Sequence, residues 1–167
     1  MAIVQTSDFV GEYKVSQSRF SELTTYIDKY EEYYLVRLLG AELYDLFIAD
    51  LTLVTPQTPQ TLPYQNLFSP FNTDDNSTLR ISEGIKQMLI EFIYFHYVRD
   101  MQYFNTVAGT VANTNENSTA PTYIGYNLVE SFNQGISNYL MIQWYIYTNQ
   151  TDYATYNGIC LDFISGI

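Results

Sequence analysis

The chain has 167 residues, a length suited to one domain, with 47% hydrophobic residues and only 15% charged ones. Net charge is -11, all seven bases lie before position 100, and the chain from Asp100 onward holds five acids and no base. No cluster of bases is present to neutralise phosphates or an anionic lipid surface, which argues against nucleic-acid and membrane binding by charge.

The first strong period is Phe20, Leu23, Ile27, Tyr30, Tyr34 and Leu38, at three- and four-residue steps. That spacing predicts a helix with one apolar face, with Ser18 or Ser21 as its cap and Gly40 as its stop. A shorter helix is expected from Ala41 to about Leu51, striped by Leu43, Phe47 and Leu51. Residues 52–80 follow as a connector loop, rich in proline and carrying the polar run NTDDNST, with one short turn of helix at YQNLF.

A third helix is predicted from Ser82 to about Phe104. Its middle is apolar nearly all round, the pattern of a helix buried on several sides. The loop arm 106–121 comes next, with room for a short hairpin at its valines. A fourth helix from about Thr122 to Tyr147 is expected to pack through Ile124, Leu128, Phe132, Ile136, Leu140 and Gln143. In the tail, residues 157–167, the alternation of Ile159, Leu161 and Phe163 reads as a strand. These elements add up to an all-α fold: one domain, a bundle of about four helices with long loops, and a small β-hairpin or extended C-terminal tail.

Candidate chemistry is thin. Glu31 and Glu32 are adjacent, so on a helix their carboxylates diverge by about 100°; both read as solvated charge. His96 is the only histidine and Cys160 the only cysteine, too few to hold a zinc or iron ion or to form an internal disulfide. His96 reads as a packed or interface side chain. Arg99 and Asp100 read equally well as a local ion pair or as a contact between subunits. No phosphate-binding or nucleophile motif is present. No cofactor, metal or catalytic residue is therefore expected. The N-terminus lacks the basic start and apolar run of a signal peptide.

The block FSELTTYIDKYEEYYLVRLLGAELYDLF (Phe20 to Phe47), the NLFSPF of the connector, SEGIKQMLIEFIYFHYVRD (Ser82 to Asp100), TVAGTVANTNENS and YNLVESFNQGISNYLMIQWYI (Tyr126 to Ile146) together resemble the head–tail connector, or neck adaptor, proteins of tailed bacteriophages, those of crAss-like phages in particular. The resemblance spans nearly the whole chain. It implies a structural virion protein made in the host bacterial cytoplasm: a homo-oligomeric ring, of twelve copies in this family, joining the portal protein to other neck or tail proteins. The ring lines the exit channel, and genomic DNA passes through without specific binding. No enzyme activity is implied. On this reading Ile159, Leu161, Phe163 and Ile164 are expected to dock on a portal or other partner, and Tyr26, Tyr33, Tyr94, Tyr97 and Arg99 to meet a neighbouring subunit. Two other classes stay open on the residues alone: a monomeric helical binding module with an aromatic pocket, and an enzyme built on His96, Glu91 and a tyrosine.

Overall fold

A computed structural model describes residues 3–75, 78–106, 109–112, 123–159 and 161. Three 3-10 turns (Thr6–Asp8, Gly11–Tyr13 and Gln17–Arg19) lead into α1 (Phe20–Leu39), α2 (Ala41–Asp50) and α3 (Leu62–Phe68). The hairpin β1 (Phe71–Asp75) and β2 (Thr78–Ser82) follows, then α4 (Gly84–Gln102), the hairpin β3 (Tyr103–Thr106) and β4 (Gly109–Ala112), and α5 (Tyr123–Thr148). Both hairpins are antiparallel, running from Phe71 opposite Ser82 to Asp75 opposite Thr78, and from Tyr103 opposite Ala112 to Thr106 opposite Gly109. Among the described residues the regular structure is helical apart from these two small ribbons and an isolated bridge between Leu51 and Pro59.

The expected helices form, with α4 at the centre between α1 and α5. Ile85, Met88, Leu89, Phe92 and Ile93 are wholly buried, as an all-round apolar sequence requires. Against them lie Leu23, Ile27, Tyr30, Tyr34 and Leu38 from α1, and Leu43 and Phe47 from α2. The segment after α5 returns to α3, where the Tyr153 hydroxyl donates to the Pro63 carbonyl at 2.6 Å.

Several expectations are corrected. Neither Ser18 nor Ser21 caps α1: Arg19 holds that position with no side-chain bond to the helix, and Ser18 instead pairs with Ser16 at 3.0 Å. The connector is more ordered than its prolines suggest, because α3 and the hairpin β1–β2 both lie within it. The short hairpin expected in the loop arm does form, as β3–β4, but it begins at Tyr103, so α4 ends at Gln102 and not near Phe104. The buried face of α5 keeps Leu128 and Ile136 of the expected seam but also takes in residues outside it. Ser131, Ile136, Asn138, Tyr139, Ile142 and Ile146 are buried, whereas Leu140 and Gln143 are only half-buried.

The corner between α1 and α2 requires glycine. Gly40 has φ 77°, which side chains disfavour, and a Cβ there would lie 2.6 Å from the Asn157 carbonyl oxygen. That close approach lets the tail close off α1. The last carbonyls of a helix lack partners within it. Here the Leu39 carbonyl accepts from the Asn157 amide at 3.3 Å and the Arg37 carbonyl from the Ile159 amide at 2.7 Å. The alternating tail thus runs extended at 157–159, but its partner is a helix end and not a strand.

Candidate functional site

The expected docking tail divides. Ile159 is pinned through its backbone, its amide to Arg37 and its carbonyl accepting from the Tyr139 hydroxyl and from Gln143 at 3.0 Å, yet its side chain is 53% exposed. Leu161 packs against the core. Phe163 and Ile164 lie outside the described residues.

Of the expected subunit contacts, Tyr33 is exposed, Tyr26, Tyr94 and Arg99 are half-buried, and Tyr97 is buried within the chain, edge-on to Tyr26 at 5.4 Å. Arg99 pairs with its neighbour Asp100 at 2.8 Å, and the Tyr26 hydroxyl donates to the same carboxylate at 3.3 Å. The local ion pair is therefore made within one chain.

Tyr33 and Ile159 line an open hollow of about 450 Å³ beside α1, together with Lys29, Glu32, Val36 and Arg37. The Arg37 guanidinium lies 4.2 Å over the Tyr33 ring, a cation–π contact that stiffens the rim. Across the α1–α2 corner stands a second exposed feature, the loop after α2. Leu51 bridges to Pro59, the Thr52 amide donates to the Thr58 carbonyl at 2.9 Å, and Asp50 accepts from the Gln60 and Thr61 amides at 2.8 and 2.9 Å. This laced base holds up a tip where Leu53 is 98% and Val54 75% exposed. No sequence motif marks either feature; the signal available was Leu53-Val54, an apolar pair inside an otherwise polar loop.

Glu31 and Glu32 do diverge, but Glu31 is not solvated. It is 1% exposed and accepts the Ile3 and Val4 amides at 2.6 and 3.2 Å. Burial raises its pKa, and those two hydrogen bonds offset part of the rise. It ties the N-terminal segment to α1. Its position between Ile27 and Leu35, four residues from each, was the sequence signal for burial.

His96 is packed, as expected. Its ring stacks on Tyr30 at 3.8 Å and shares a 2.7 Å hydrogen bond between Nε2 and the Tyr34 hydroxyl. Burial, helped by Arg99, lowers its pKa to about 4, so the ring is neutral at pH 7.

The most perturbed carboxylate is Glu91 on α4, 2% exposed. Asn138 of α5 donates to both of its oxygens at 3.2 and 2.9 Å, and Gln87 donates at 3.3 Å. Burial raises its pKa to about 7 despite these donors. Asn138 also accepts from the Glu83 amide at 2.8 Å, at the start of α4. A cleft of about 270 Å³ opens beside this group, lined by Glu12, Tyr13, Glu83 and Gln134 among others. An adjoining hollow of about 160 Å³ is lined by Tyr94, Glu130 and Ser131 with Glu12, Tyr13 and Gln134. Sequence reading set Glu91 and His96 together in one candidate enzyme site, but Glu91 bonds to α5 and His96 to α1, on different sides of α4.

Among the described residues no group of three or more His, Cys, Asp or Glu is gathered as a metal site, and no helix is long and apolar enough to cross a membrane. No family model, curated protein or solved structure matches the chain.

Proposed function

We propose that this chain is a structural virion protein of the head–tail connector kind, one copy of a ring that joins a portal to a tail and lines the channel through which DNA leaves. The observation that carries the reading is the pairing of a rigid helical frame with apolar side chains presented outward at separate places. Phe20 to Phe47 builds α1, the Gly40 corner and α2, and this is the block that bears the resemblance. Around that frame Leu46, Leu53, Val54 and Leu62 are exposed on one stretch, Tyr33 and Ile159 beside α1, and Tyr147 near the end of α5. A ring closes through one heterologous contact repeated, so each copy offers two different surfaces. The base-free stretch from Asp100 onward suits a wall past which DNA slides, because it offers phosphate no cation.

The role is architectural, and the partners are other copies, the portal and neighbouring neck or tail proteins. The test is mass by light scattering, alone and with portal protein. A ring-sized species is expected, and a strict monomer that ignores portal overturns the reading. Replacing Phe163 and Ile164 by Asp leaves the Ile159 anchor in place and is expected to abolish portal capture; unchanged capture removes the docking role from the tail.

A second reading, a monomeric module binding a ligand at an aromatic pocket, would use the cleft beside Tyr13 and Tyr94. Its hollows of about 160 and 270 Å³ fall below the roughly 300–1,000 Å³ of ordinary ligand pockets. Carboxylates line them as well, so this reading is the weaker one.

A further inference from the structure

The exposed tip and the open hollow differ in shape and match in chemistry. The tip is convex and apolar, and residues 51–62 carry no charge at all. It follows α2, whose exposed residues include Glu42 and Asp45, and no base occurs between Arg37 and Arg80. The hollow is open, with apolar Tyr33, Val36 and Ile159 and, around them, two cations, Lys29 and Arg37, against one acid, Glu32. Its volume of about 450 Å³ has room for two aliphatic side chains. Leu53 at 98% exposure is not seated on its own chain.

We propose that Leu53 and Val54 of one copy seat in the hollow beside α1 of the next copy, with Glu42 and Asp45 facing its Lys29 and Arg37. This rests on the ring reading above and names the contact that would build it. The tip and the hollow are different surfaces of one chain, so the contact is heterologous: every copy gives a tip and receives one, and the series ends only when it closes. The laced base of the loop, from Asp50 to Thr61, holds the tip in shape before contact. Little conformational freedom is then lost on docking. Opposite charges around an apolar centre set the direction of approach and disfavour the reversed pairing of tip with tip.

Two variants test it, Leu53→Asp with Val54→Asp at the tip and Lys29→Glu with Arg37→Glu at the hollow. All four positions are at least partly exposed, so both variants should fold, which circular dichroism checks. Each alone is expected to lose self-association by at least about a hundredfold. An equal mixture is expected to give dimers and nothing larger, because the intact hollow of the tip variant accepts the intact tip of the hollow variant. Adding Glu42→Lys and Asp45→Lys to the hollow variant should restore assembly. All species are weighed by light scattering, alone and on portal protein. If the wild type assembles and both variants assemble equally well, the tip-in-hollow contact is wrong while the ring reading stands. If the tip variant loses portal capture but keeps self-association, the contact between copies is likewise wrong and the tip belongs to the portal. A wild type that stays monomeric with and without portal overturns both.

Discussion

Toward α1, helix α4 packs through stacked rings; toward α5 it also meets rings, Phe92 and Phe95 against Phe132 at 5.3 and 4.7 Å, but adds a carboxylate, an amide, a hydroxyl and a glycine. On the first side His96 stacks on Tyr30 and Phe92 on Tyr34, at 3.8 and 3.9 Å. On the second, Asn138 reaches both Glu91 and the Glu83 amide, Ser131 donates to the Glu91 carbonyl at 3.3 Å, and Gly135 lies under Phe92. Stacked rings supply buried area and tolerate small slides. Hydrogen bonds between buried groups do not, because a slide leaves a donor or acceptor stranded. The α5 side therefore sets how far along α4 the last helix sits, whereas α1 meets α4 mainly by stacking.

The sharpest way to break this contrast is Asn138→Ala. It takes two of three donor contacts from Glu91 and the acceptor from the Glu83 amide, and should cost on the order of 2–5 kcal/mol by denaturant unfolding. Gly135→Val comes next. Even a Cβ at 135 would lie 2.8 Å from the Phe92 ring, and that ring is held on its other face by Tyr34. A loss of roughly 1–3 kcal/mol is expected in a thermal melt, and a variant as stable as wild type would mean that the two sides of α4 are not mechanically joined.

A pH titration of stability separates the sides by sign. Glu91 rises from its ordinary 4.5 to about 7 in the fold. Between those values the folded chain holds a proton that the unfolded chain has lost, so stability falls as pH rises. His96 drops from 6.5 to about 4. There the unfolded chain holds the extra proton, so stability rises with pH up to 6.5. The two slopes, each at most ~1.4 kcal/mol per pH unit, oppose one another from about 4.5 to 6.5. Glu91→Gln should uncover the rising slope and His96→Asn the falling one. Glu31, also raised by burial, adds to the falling side and makes the second slope the steeper. Two variants sloping the same way would refute the assignment. The smallest effect is expected for Tyr34→Phe, which deletes one hydrogen bond to His96 and keeps the stack: about 1 kcal/mol.

The α1 side of this comparison was legible in the sequence and the α5 side was not. Tyr30, Tyr34 and Leu38 announce themselves by period, and the apolar middle of α4 says that it is central. Periodicity counts apolar residues, so a buried polar one registers as a gap. Asn138 and Ser131 were passed over for that reason, and the seam of α5 was carried from Leu128 and Ile136, which are buried, on to Leu140 and Gln143, which are only half-buried. Glu31 was misread in the same manner, although it sits in step with Ile27 and Leu35. The hairpin β1–β2 escaped because NTDDNST has no strand character of its own. It is held at its open end from outside, by the Phe71 ring 4.8 Å from Tyr145 and by Ser82 beside Asn138. The exposed tip at Leu53 and Val54 needed the laced loop base, whose pairings join residues too irregularly spaced for any period to reveal.

The close fit of Gly158 against the Leu38 carbonyl, beside that of Gly40 against Asn157, bears on the order in which the molecule is made. The helical corner at Gly40 is synthesised early, but the backbone that finishes α1 comes from a stretch translated long afterwards. Contacts so distant along the chain form late, because closing the intervening loop costs entropy before any contact rewards it. Amide exchange should therefore show Asn157 and Ile159 gaining protection after the interior of α1 during refolding. The hollow that Ile159 lines is then completed last, after the helix that forms its wall.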